Sequence, residues 1–136
     1  MNKLMRVAAI GMALVFAMSL LSAQTKMDKK DGTGVQTLKG YLTDKMCGTG
    51  FTKTGDAKTA AAKAKKHTKD CALEENCMAS GYGLVFDGKF HKFDEAGDKI
   101  ALEYLNKTKK ENNLFVMVKG TMDGDKIKVT SLKDTK

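Results

Sequence analysis

From Val35 to Thr43 apolar and polar positions alternate well enough to set Leu38 and Leu42 on one face, with Gly40 between them, and this predicts a first strand. Tyr82, Leu84 and Phe86 alternate in the same way. Asp87-Gly88 then supplies a two-residue hairpin signal, and Lys89 to Phe93 returns as the partner strand. Further on the period lengthens: Ile100, Ala101, Tyr104, Leu105 and Thr108 share one face of a helix that Asp98 can cap and that runs to about Lys109. Leu114 to Met122 and Lys126 to Leu132, joined near Asp123-Gly124, predict a second hairpin.

Between the first strand and the first hairpin lies a long stretch, Asp44 to Ser80, of different character. It holds a glycine-rich piece, an Ala/Lys run from Asp56 to Lys69, and the segment D-C-A-L-E-E-N-C-M-A-S-G from Asp70 to Gly81. Alanine and lysine favour helix, and Asp70 and Gly81 stand where an N-cap and a C′ glycine would, so one or two short helices are expected. The Ala/Lys part has little but methyl groups to bury and should be marginal. The order is β, insertion, β-β, α, β-β, which predicts a mainly β chain with helices. Its expected architecture is a five-stranded OB-like Greek-key barrel, with a helix between strands 3 and 4 and the long helical insertion between strands 1 and 2.

The N-terminus changes the address. Lys3 and Arg6 precede an uncharged run from Val7 to Ala23 that ends in Leu-Ser-Ala, the layout of a cleaved secretory signal peptide over residues 1–23. Residues 24–34 are polar and glycine-bearing and read as a disordered leader, leaving 35–136 as one OB-like domain. The expected location is periplasmic or secreted, with no transmembrane segment after signal cleavage. The chain carries a formal charge of +8, and its single arginine lies in the signal segment. A basic surface made of lysine alone lacks the bidentate fork that reads base edges, so nucleic acid is not an expected partner.

The chemistry gathers in the insertion. Cys47, Cys71 and Cys77 all lie there, with His67 four residues before Cys71. Three readings stand side by side. In an oxidising compartment the default is one disulfide and one leftover thiol. If residues 71 to 77 formed one continuous helix, its rise would hold the two Cα atoms roughly 9 Å apart, and a Cys71–Cys77 bridge would be out of reach. The second reading is metal: three thiolates and one imidazole are the donor set of a tetrahedral zinc site, and Met46 and Met78 beside two of the cysteines also suit copper. The third is a redox thiol made reactive by His67. No C-x-x-C, nucleophile-elbow or phosphate-loop motif occurs, and the adjacent pair Glu74-Glu75 reads as a solvated face. His91 reads as an ordinary half-exposed strand histidine.

The stretches G-Y-L-T-D-K-M-C-G (Gly40 to Gly48) and H-T-K-D-C (His67 to Cys71), then Cys77, G-Y-G-L-V-F-D-G-K-F-H-K-F and V-K-G-T-M-D-G-D-K-I-K-V-T-S-L, resemble a family of small exported bacterial OB-like proteins of uncharacterised function. Its motif is D-x-x-C-G, then His-x3-Cys, then another Cys. The resemblance implies a fold and an address, with Cys47, His67, Cys71 and Cys77 as the characteristic positions, and it implies no reaction. The expected function is a non-catalytic binding or accessory module, a monomer whose insertion is stabilised by a disulfide. Its partner would be a small ligand, a metal or an envelope protein; the alternatives are zinc or copper binding through Cys47, His67, Cys71 and Cys77, or a thiol redox protein.

Overall fold

The computed structural model describes residues 34–135; the expected signal segment 1–23 and the leader as far as residue 33 lie outside them. Five strands form where alternation predicts them: β1 Gln36–Asp44, β2 Tyr82–Phe86, β3 Lys89–Phe93, β4 Phe115–Asp123 and β5 Lys126–Asp134. They pair in the order β1-β2-β3-β5-β4, and β4 returns to β1, so the sheet closes into a ring. Every pairing is antiparallel except β3 with β5, which run parallel. β1 serves two neighbours in turn: Gln36 to Tyr41 face β4, and Tyr41 to Asp44 face β2. At the β2–β3 turn Asp87 and Gly88 adopt φ of 50° and 73°, the left-handed pair that a tight hairpin with the right twist requires.

Five helices complete the described residues: α1 Lys45–Phe51, α2 Ala57–Lys66, α3 Lys69–Ala72, α4 Glu75–Ser80 and α5 Glu95–Lys107. The interior of the ring is lined by Leu42, Leu84, Val116, Val118 and Ile127, and Ala101 and Leu105 of α5 join the same core. α5 starts earlier than expected, because Asp94 and not Asp98 caps it. One oxygen of Asp94, Oδ1, accepts from Gly97 N at 3.0 Å and from Val129 N at 3.1 Å, tying the helix start to β5. Asp98 instead accepts from Tyr82 N at 2.7 Å.

The insertion holds four helices where one or two were expected. α2, expected to be marginal, is docked: Ala60 and Ala64 are fully buried against Val85 on the outer face of β2, with Tyr41, Phe51 and Phe90 around them. Methyl groups suffice because β2 is covered on both faces, leaving room for a helix with no bulky side chains. The segment from Asp70 to Gly81 is not one helix. Thr68 caps α3, the chain breaks at Leu73-Glu74, and α4 begins afresh before ending at Gly81 with φ of 83°.

Candidate metal centre

β1 ends in a device that starts α1. Asp44 is fully buried, and its Oδ1 accepts from Cys47 N at 2.9 Å, an N-cap bond that fixes Cys47 in the first helical turn. Gly48 follows because nothing larger fits: a Cβ there would fall inside the ring of Phe90 and against the Thr43 hydroxyl. Thr68 Oγ1 accepts from Cys71 N at 3.2 Å and so places Cys71 in α3. The buried Tyr82 hydroxyl donates to Ala72 O at 2.9 Å, pinning α3 to the ring. Cys77, 6% exposed, comes from α4.

These elements bring Asp44, Cys47, Cys71 and Cys77 together, with one donor atom from each lying within 4.8 Å of the others. The break at Leu73-Glu74 makes this possible, since a continuous helix would have carried Cys77 away from Cys71. The expected disulfide is not formed. Cys47 Sγ and Cys71 Sγ are 3.9 Å apart, far beyond a bond of about 2.05 Å, and all three cysteines are free thiols.

His67 is the C-cap residue of α2, while Cys71 lies in α3. His67 Nε2 lies 3.0 Å from Asp44 Oδ2. Beyond this contact, Asp44 Oδ2 and both His67 ring nitrogens are buried with no hydrogen-bond partner among the described residues. Sequence reasoning missed Asp44 as a member of the cluster, although D-x-x-C is itself an N-cap signature that places the carboxylate against the thiol's own amide. His91 is also corrected: it is 8% exposed and stacks on Phe86 with ring centroids 4.1 Å apart.

Electrostatics follow from this crowding. Burial, then the Asp44 charge and Cys71, push the Cys47 thiol up to about 12. Burial and Asp44 push Cys77 up to about 11. Burial also drives the Asp44 carboxyl upward, but the His67 contact and the Cys47 amide outweigh it and hold the carboxyl below its usual range. A carboxylate kept ionised beside protonated thiols makes a pocket that favours a cation.

No family model, curated protein or solved structure matches the chain. What the site can do follows from its own atoms. Two thiolates bound about 2.3 Å from one ion are separated by about 3.8 Å in a tetrahedron and about 4.0 Å in a trigonal plane. The 3.9 Å between Cys47 and Cys71 already lies in that interval. Cys47 and Cys71 are partly exposed, which gives an ion a way in, while Cys77 and Asp44 close the inner side.

Proposed function

We propose that this chain is an exported, non-catalytic metal-binding module. Its helical insertion would hold one thiophilic ion, zinc or copper, through Cys47, Cys71 and Cys77, with Asp44 at the fourth position and His67 orienting Asp44. The observation that carries this reading is the meeting of three thiols and a carboxylate from separate elements within 4.8 Å. The buried Asp44 carboxylate adds to it, because its Oδ2 has only the 3.0 Å contact with His67 and a buried charge is costly unless it is well paired.

The ring order β1-β2-β3-β5-β4, the strand β1 shared between two neighbours and the helix α5 between β3 and β4 support an OB-like barrel as the scaffold. The layout of residues 1–23 supports a periplasmic or secreted location. Among the described residues no helix is long and apolar enough to cross a membrane. The raised thiols at Cys47 and Cys77 weigh against a redox enzyme working through either, since the thiolate is the nucleophile.

The test is native mass spectrometry of the reduced protein titrated with zinc. One equivalent should bind and release protons, and Cys77→Ser should abolish binding. His67→Ala should weaken binding roughly 10- to 100-fold, as loss of an outer-shell partner does. A reduced protein that takes up no ion refutes the reading. A second reading, an accessory module stapled by a Cys47–Cys71 disulfide, draws on the same 3.9 Å contact and predicts one alkylatable thiol, Cys77, in protein taken from its native compartment.

A further inference from the structure

We infer that Cys47 and Cys71 form a redox switch on the ion site: a disulfide oxidant joins the two sulfurs to each other and releases the ion. This rests on the metal-binding reading above and adds its regulation.

Each sulfur hangs from the first turn of a short helix whose start is fixed by a side-chain cap. Asp44 Oδ1 accepts from Cys47 N at 2.9 Å, and Thr68 Oγ1 accepts from Cys71 N at 3.2 Å. α1 leaves the end of β1, and α3 is pinned to the ring through Tyr82, so the two turns bring their sulfurs within 3.9 Å. Closing that gap to a bond asks for a movement of about 2 Å shared between two side chains, within the reach of χ1 rotation. Access selects the same two sulfurs. Cys47 and Cys71 are partly exposed, whereas Cys77 is 6% exposed. A disulfide oxidant must meet the attacking sulfur directly, so the pair is open to it and Cys77 is shielded.

The ion and the bridge compete for the same atoms. A metal binds thiolates, and a sulfur bonded to sulfur has no such charge to give. With Cys47 and Cys71 joined, only Cys77 and Asp44 of the four donors remain. One thiolate of the pair attacks the oxidant RSSR, forming a mixed disulfide and expelling RS⁻. The other thiolate then attacks the protein sulfur of that mixed disulfide and expels the second RS⁻. Two electrons pass from the cysteines to the oxidant, both RS⁻ take protons from water, and the ion departs with its charge unchanged. The coupling is reciprocal, so a bound ion protects the pair from oxidation.

The experiment loads reduced protein with one equivalent of zinc, adds oxidised glutathione, and follows zinc with a chromogenic chelator. Each Cys47–Cys71 bond formed should release one zinc, circular dichroism should stay native, and a phosphine reductant should restore binding. Zinc affinity of the bridged protein should fall by more than the roughly 10- to 100-fold that loss of an outer-shell partner costs. Metal-free protein should form the bridge faster than loaded protein. Zinc retained by protein whose peptide map shows the Cys47–Cys71 bond overturns the switch. So does loaded protein that keeps its zinc and all three thiols in glutathione that fully bridges the metal-free protein. Zinc released with a bridge to Cys77 overturns the choice of pair. All three outcomes leave the metal-binding reading standing, whereas reduced protein that takes up no zinc overturns both.

Discussion

Tyr82→Phe isolates what holds the cysteine-bearing helices to the ring. Tyr82 is 2% exposed, and its hydroxyl donates to the carbonyl of Ala72, which is itself fully buried next to Cys71. Phenylalanine keeps the ring and its burial, so the loss is confined to one hydrogen bond and to a carbonyl left unpaired away from water. A neutral bond nets about 1 kcal/mol, and an unsatisfied buried partner raises the cost toward about 2 kcal/mol. For a domain of roughly 100 residues each kcal/mol moves Tm by about 4–8 °C, so a drop of about 4–16 °C is expected. The control is Tyr104→Phe, which removes an exposed bond to Asp134 and should cost about 0.5 kcal/mol or less. Urea unfolding followed by circular dichroism gives the total, and hydrogen exchange at residues 69–80 shows where it falls. A Tyr82→Phe protein within about 0.5 kcal/mol of wild type, with unchanged exchange in α3, would refute the idea that this bond anchors the site.

The remaining predictions concern the same scaffold. Burial raises the Tyr82 phenol to about 12, so its contribution to stability is complete below the ordinary value of 10.0 and is lost as pH climbs toward 12; an alkaline unfolding series should lose this slope in Tyr82→Phe. Burial lowers His91, whose contribution is therefore present above its ordinary 6.5 and lost as pH falls below it; His91→Phe should flatten stability between about pH 7 and 5, and an unchanged slope would clear His91 of that role. Gly48→Ala should cost about 1–3 kcal/mol by overpacking Phe90 and Thr43, measured by chemical denaturation, and a neutral result would mean that α1 can shift freely. An added small-molecule disulfide should join Cys47 to Cys71, 24 residues apart, raise stability by about 3 kcal/mol, and leave Cys77 to be alkylated; a bridge to Cys77 on peptide mapping would contradict the 3.9 Å approach.

The strands were readable because each obeys a local rule: alternation sets Leu38, Leu42, Leu84 and Phe93 facing in, and Asp87-Gly88 writes its own turn. That the cysteines belong together was readable from their confinement to one insertion. The break at Leu73-Glu74 was not, because no glycine or proline marks it. It stands at the end of a helix whose last carbonyl is held by Tyr82, a bond to another element. The same holds for α5: Asp94 outcompetes Asp98 because it also serves Val129 on a distant strand. His67, a candidate ligand by its spacing from Cys71, meets Asp44 at 3.0 Å, a contact that depends on where β1 ends. Local pattern reaches as far as the elements, and the site is decided by bonds between them.

β1 makes its pairings with β4 and β2 along one run of nine residues, and its last residue, Asp44, reaches the sulfur cluster. Pulling that strand free opens two seams of the ring and dismantles the cluster in a single event. Any guest seated there must leave before the shell can come apart, so it stabilises the whole fold by RT ln(1 + [L]/Kd), and loading can be measured by melting the protein as well as by weighing it.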